Sequence, residues 1–240
     1  MGIIDLVLRK EDIDRSALGD QIVVVFDVFL ATTTISTVLE AGASSVITLK
    51  DAYEASKEVE NYKEGTFTVA GELDGITIEG FDDPWPLSLR DRVHQKTVIL
   101  TTSNGTVAIE KASQSKHLYA SSIINNQAVA NHIAKNHPKN ITLICAGSDG
   151  VFSLEDFLGA GSFIDCYLQE IKADVELTDS ALVAHSFYRK EKRDLKQAMA
   201  QSTVGKKLME MELQDDFEFA SRMNVCDVVP ILKEDGFIQA

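Results

Sequence analysis

An α/β fold of three layers, α/β/α, is expected from this sequence, with a largely parallel or mixed sheet and a helical C-terminal part. Three observations predict it. Short runs rich in β-branched residues alternate with helical spacings over the first two thirds, and this βαβα order favours parallel strands with right-handed crossovers. The run Ile22 to Phe26 is unbroken and apolar, as suits a strand covered on both faces. Most of Thr178 to Ala240 reads as helix. With 240 residues, 45% hydrophobic and 25% charged, the chain is expected to form one globular domain over 1–240, with two intimately packed lobes as the alternative.

The elements follow in order. Ile3 to Leu8 is a first strand, and Ile22 to Phe26 the leading one. Asp27 ends that run at the C-terminal end of a buried strand, where open α/β sheets keep their ligand crevices. Ala31, Thr32, Thr33 and Thr34 then open a helix carrying Ile35, Val38 and Leu39. Threonines there are expected either to cap the helix or, with its free N–H groups and positive dipole end, to favour an anion such as phosphate. Ser45 to Leu49 is the next strand, and Asp51 to Tyr62 an exposed helix. Phe67 to Ala70 is a strand running into Gly71-Glu72-Leu73-Asp74-Gly75, read as a tight loop that either presents Glu72 to a metal or is a plain surface turn. Glu79 to Leu87, with two of the four prolines and the only tryptophan, is a stiff loop without a regular element.

Thr97 to Leu100 repeats the opening layout. It leads through Thr101-Thr-Ser-Asn-Gly-Thr106 into a helix from Val107 to Ala112. Asn104-Gly105 is expected to turn with positive φ, and Ser103, Asn104 and Thr106 to offer donors to phosphate or sulfonate. No Walker motif is present, since its lysine and second glycine are missing. His117 to Ala120 is a strand, and Ser121 to Asn126 a third donor-rich turn served by Asn125 and Asn126. Ile141 to Cys145 is buried, and Cys145 reads as core rather than nucleophile because no histidine or cation flanks it. Ser153 with Asp156 has the form of a capping box before a helix from Phe157 to Ile171, while Glu155 or Asp156 as a metal ligand is the alternative. Further helices are expected over Ser180 to Tyr188 and Ser202 to Glu212, and a final short strand or turn at Cys226 to Pro230. His185 reads as structural.

Composition limits the function classes. A net charge of −14 argues against nucleic acid and anionic membranes as partners. Three scattered cysteines give neither a disulfide framework nor a zinc site. The N-terminus meets charged residues too soon for a signal peptide, and no apolar run approaches a membrane span. A soluble cytoplasmic protein is expected. Strand ends carrying Asp27, Glu72 and Asp82 or Asp83 suit a hard divalent cation with oxygen ligands, and such an ion with helix-start turns suits hydrolysis or transfer of a small phosphorylated acid. A serine triad has no support, for there is no GxSxG elbow.

The order of Phe26-Asp27-Val28, Ala31 to Ile35, Gly42-Ala43, Gly71-Glu72, Gly80-Phe81-Asp82 and Thr101 to Thr106 resembles the 2-phosphosulfolactate phosphatase family. So do Asn125 with Ala128 to Ala130, Cys145-Ala146-Gly147, Glu155-Asp156 with Ala160-Gly161, and Val229-Pro230. The resemblance implies an α/β/α fold, hydrolysis of 2-phospho-3-sulfolactate to 3-sulfolactate and phosphate, and a required Mg2+. That chemistry is linked to coenzyme M biosynthesis in methanogens and to sulfolactate formation in some bacteria. Asp27 and Glu72 are then the expected catalytic residues. Asp27, Glu72 and Asp82 form or support the metal site, with Glu155 and Asp156 in reserve. Thr32, Thr33, Thr34, Ser103, Asn104, Gly105, Thr106 and Asn125 hold the anionic groups. A water activated by the metal, or the Asp27 carboxylate, attacks phosphorus. The expected partner is a small phosphorylated or sulfonated acid, with a homodimer left open.

Two departures stand out. Leu30 occupies a place where the family usually has arginine, and Asp83-Pro-Trp-Pro-Leu87 replaces a small polar segment. Charged hydrogen bonds are each worth roughly 1.5–3 kcal/mol, so these losses weigh on phosphate or sulfonate binding. The alternative is therefore a non-catalytic relative that binds a small phosphorylated or sulfonated acid.

Overall fold

A computed structural model describes residues 2–136, 140–171 and 174–240. Strand β1 (Gly2–Val7) is followed by β2 (Ile22–Phe26), every residue of which is buried. Helix α1 (Ala31–Glu40), β3 (Ser45–Leu49) and α2 (Ala52–Glu58) come next. Strand β4 spans Phe67–Leu73 and β5 Ile76–Thr77, joined by Asp74 and Gly75 at φ 55° and 85°. Positive φ at both central residues makes this a tight hairpin turn, which the Asp-Gly pair favours. Glu72 therefore lies in a strand, correcting the loop expected there. Helix α3 (Pro86–Leu89) begins on a proline at its first turn, where the missing N–H costs nothing, so the stiff loop does contain a short regular element.

Then come β6 (Thr97–Thr101), α4 (Gly105–Ala112), β7 (His117–Ala120), α5 (Asn126–Asn136) and β8 (Ile141–Cys145). The C-terminal part holds α6 (Leu154–Glu170), β9 (Val175–Leu177), α7 (Asp179–Glu191), α8 (Leu195–Ala200), α9 (Thr203–Glu210) and α10 (Gln214–Ala220). It closes with β10 (Pro230–Lys233) and β11 (Gly236–Gln239). These last strands correct the expectation of a helical end with at most one short strand.

Among the described residues the strands form one mixed sheet in the order β5-β4-β6-β3-β11-β10-β7-β2-β8-β1-β9. Strands β7, β2, β8, β1 and β9 are parallel to one another, as are β4, β6 and β3. The antiparallel hairpin β10–β11 joins these two blocks through single pairings, Ile231 with Tyr119 and Phe237 with Val46. Gly236, at φ 102°, permits the second junction, because a Cβ there would lie 2.6 Å from the Val46 carbonyl oxygen.

Strand β2 shows why the pattern reads as doubly covered. Ile22, Val24 and Phe26 enter one core with residues of α5, α6 and α7, whereas Val23 and Val25 enter another with Ile35 and Val38 of α1 and Ile109 of α4. The second core also takes Val98 and Leu100 of β6. Both parallel blocks thus pack on α1 and α4, and the strand ends that precede those helices are drawn together. Burying side chains on both faces is worth about 25 cal/mol per Å² of apolar surface. A third core, with Val28, Leu158, Met199, Leu208 and Phe217, fixes α8 to α10 over the end of β2.

Candidate active site

The turn after β2 is built from its own hydroxyls. Thr32 Oγ1 donates to the Asp27 carbonyl (2.9 Å) and accepts from the Asp27 N–H (3.1 Å), Thr33 Oγ1 donates to Val28 O (2.8 Å), and Thr34 Oγ1 to Pro84 O (2.8 Å). All three threonines are fully buried and make no side-chain cap for α1. That corrects the expectation that they cap the helix or meet an anion: their O–H groups hold the loop shut. Leu30 N–H instead donates to Asp27 Oδ1, so the aspartate orders the entry to α1 itself.

The turn after β6 is arranged differently. Thr102 and Thr106 exchange side-chain and backbone hydrogen bonds, which takes Thr106 out of ligand reach. Ser103 donates from its N–H (2.7 Å) and its hydroxyl (3.1 Å) to Glu72, which also accepts from Gly75 N–H (2.6 Å). Asn104 Oδ1 is pinned by two donors, Lys10 Nζ (2.7 Å) and Asp149 N–H (3.4 Å). Its Nδ2 donates to none of the described residues and is left to the cleft, which Asn104 lines. Neither Asn104 nor Gly105 has positive φ. Gly105 is required for another reason: a Cβ there would collide with Asp27 Oδ2 and Ala31 Cβ. The absent side chain lets the start of α4 lie against the Asp27 carboxylate.

Beyond β8, Ser153 caps α6 by accepting from Asp156 N–H (3.3 Å). The Asp156 carboxylate reaches elsewhere, accepting from Val28 N–H (2.9 Å) and Gly147 N–H (3.1 Å), and so ties the ends of β2 and β8 together. Asp27, Glu72, Glu155 and Asp156 are each at most 8% exposed and line one cleft that opens to solvent. None of the four forms an ion pair with lysine or arginine among the described residues.

Uncompensated charge shows in the acidity of Asp27, Glu155 and Asp156. Burial, then the charges of Glu72 and Glu155, pushes Asp27 up to about 6, against the hydrogen bond from Leu30. Burial and the neighbouring Asp27 and Glu155 raise Asp156 well above the usual carboxylate range, and burial raises Glu155. The same burial, with Asp156 and Glu155 nearby, raises the Cys145 thiol, which does not suit a thiolate nucleophile.

Other expected residues fall outside the cleft. Asp82 accepts from Arg92 Nη1 (2.8 Å) and Asp83 from Thr77 Oγ1. Asn125 accepts from Ser122 N–H (2.8 Å) and donates to Val228 O (3.1 Å), while fully buried. Gly105 and Thr106 contribute shape and support rather than lining. Of the residues expected from sequence, Asp82 thus lies outside the cleft, while Ser103 and Asn104 line it. Among the described residues, no group of three or more His, Cys, Asp or Glu side chains stands close enough to hold a metal by itself.

Sequence reasoning missed the other wall. Lys207, Thr203 and Met211 on and just after α9 line the cleft with the Asp74–Gly75 turn, and Leu30 and Trp85 complete it. Lys10, 7% exposed and bonded to Asn104, supports it from behind. A lone lysine on a solvated-looking helix carries no local signal of a contact 133 residues away.

Comparison with known proteins accords with this geometry. The sequence model of the 2-phosphosulpholactate phosphatase family matches residues 7–235. Curated relatives named probable 2-phosphosulfolactate phosphatase include one from Clostridium acetobutylicum, 34% identical over 95% of this chain and 96% of the relative. One from Clostridium novyi is 33% identical over 95% of each chain. One from Caldicellulosiruptor saccharolyticus is 35% identical over 95% of this chain and 96% of its own.

Proposed function

Because the chain belongs to the 2-phosphosulpholactate phosphatase family, whose members are phosphoric monoester hydrolases, we propose that it hydrolyses 2-phospho-3-sulfolactate to 3-sulfolactate and phosphate with Mg2+ as cofactor. One observation carries this: four buried carboxylates, Asp27 after β2, Glu72 in β4 and Glu155 and Asp156 at the start of α6, share a cleft without a lysine or arginine ion pair among the described residues. Burying like charges together is costly unless a cation joins them. Hard oxygen donors fit magnesium, which keeps several waters and takes one or two carboxylates with substrate phosphate. Asp27 with Glu155 or Asp156 would hold the ion, and when bound it supplies positive charge to the phosphoryl oxygens.

The chain's own groups do the rest. Asp27, whose proton affinity burial and neighbouring carboxylates raise in the metal-free protein, would give that proton up where a cation binds, and as a carboxylate it can then take a proton from the attacking water. Asn104 Nδ2, aimed by Lys10 and Asp149, donates to a phosphoryl oxygen. Glu72 fixes the Ser103 and Gly75 backbones that border the site. The net charge of −14 supports a small-molecule rather than a nucleic-acid partner. Three free buried cysteines accord with a reducing cytoplasmic setting. No described helix is long and apolar enough to cross a membrane.

A second reading, a relative that binds the phosphorylated acid without turning it over, is favoured by Leu30 and Trp85 on the cleft wall. Phosphate release from phosphosulfolactate, measured with magnesium, with chelator and after magnesium is restored, separates the two. Release that follows magnesium supports the phosphatase. Calorimetric binding with no release under any divalent cation supports the silent relative.

A further inference from the structure

We propose that Lys207 selects for a substrate with a second anionic group, its ammonium holding the sulfonate at the mouth of the cleft while the phosphoryl group lies at the buried carboxylates; the proposal builds on the phosphatase reading above. Lys207 is the only lysine or arginine among the described residues that line the cleft. It is exposed, whereas Asp27, Glu155 and Asp156 are buried. Positive and negative groups are therefore separated by depth. A molecule carrying phosphate, sulfonate and carboxylate meets repulsion from those carboxylates, and a cation at the mouth offsets it.

The ammonium is positioned without being neutralised. Nζ donates to the carbonyl of Asp74 (2.8 Å) and forms no ion pair among the described residues. An ammonium has three donors, so two are left for a ligand. The turn that receives it is fixed twice: Asp74 N–H donates to Ser103 Oγ (2.8 Å) and Gly75 N–H to Glu72 (2.6 Å). Gly75 leaves the room required, since a Cβ there would stand 3.1 Å from Nζ and 3.3 Å from Cε. Other cations near the cleft are already engaged, Lys10 with Asn104 and Glu11 and Arg9 with Asp12 and the Gly150 carbonyl.

The test compares phosphosulfolactate with 2-phospholactate, which has hydrogen in place of the sulfonate, on the wild type, Lys207→Met and Lys207→Arg. Loss of a charged contact predicts a KM for phosphosulfolactate raised roughly 10- to 100-fold in Lys207→Met, with kcat within about twofold, and with partial recovery in Lys207→Arg. The KM for phospholactate, which keeps phosphate and carboxylate but lacks the sulfonate, should rise by much less. An equal shift on both substrates, or none on either, overturns the role of Lys207 and leaves the phosphatase reading intact. If the wild type hydrolyses neither compound, that reading falls instead. Calorimetry with 3-sulfolactate and lactate then decides on Lys207: sulfolactate binding weakened by Lys207→Met supports its role, and unchanged binding overturns it.

Discussion

The turns after β2 and β6 look alike in sequence, each a buried strand, a run of hydroxyl residues and a helix start, yet they serve opposite ends. In Thr32 to Thr34 every hydroxyl is spent on a backbone carbonyl, and the cleft receives from this turn the acid before them and the apolar side chains of Phe29 and Leu30. In Thr102 to Thr106 the two threonines lock each other, and the residues between them, Ser103 and Asn104, reach the cleft. What separates them is partner supply. Packed against Pro84 and the loop's own carbonyls, a hydroxyl finds an acceptor at once, whereas Asn104 meets two donors that turn its amide nitrogen outward.

The largest effect should come from the acid. Asp27→Asn keeps an oxygen for Leu30 N–H but loses the titrating group, so kcat/KM should fall by roughly 10²–10⁴-fold in the phosphate-release assay. Gly105→Ala attacks the meeting point of the two turns. Its new methyl collides with Asp27 and Ala31, and melting should show about 1–3 kcal/mol of lost stability along with lost activity. Asn104→Ala, on the second turn, should raise KM by roughly 10-fold, one hydrogen bond to a charged group, and also lower the melting temperature, because buried Lys10 loses an acceptor. Thr33→Val, on the first turn, should cost about 1–3 kcal/mol by leaving the Val28 carbonyl unpaired and leave KM as it was. An Asn104 variant that loses only stability, or a Thr33 variant that loses only binding, would erase the contrast between the turns.

Acidity gives a separable signal. Asp27 is raised from an ordinary 3.8 to about 6, so the folded state binds its proton more tightly than the unfolded chain. This contribution is fully present below about pH 4 and is lost as pH rises through about 6. The metal-free protein should therefore lose about 3 kcal/mol across that window, and Asp27→Asn should flatten this part of the curve. Denaturant melts between pH 4 and 7.5 in chelator measure it.

The α/β alternation and the doubly covered β2 were legible because burial imposes its period on local sequence. Asp27 and Glu72 were legible as acids at strand ends. Strands β10 and β11 were not, since each meets its neighbour block at a single pairing and Gly236 matters only for the approach to Val46. Asp82 misled because the arginine that pairs with it sits ten residues on and looks like any solvated charge. Glu155 and Asp156 were read as reserves, yet their burial beside Asp27 depends on α6 packing under β2. Lys207 was invisible for a like reason: its meaning lies in a hairpin turn far away in the chain.

Magnesium titrated calorimetrically into wild type and Asp27→Asn near pH 6, in two buffers of different ionisation enthalpy, tests the cation site most directly. Saturable binding to the wild type with proton release, weakened and with less release in the variant, is the expected result, because each ligand carboxylate must shed its proton. Heats indistinguishable between the two proteins would mean that the buried acids do not gather around a metal.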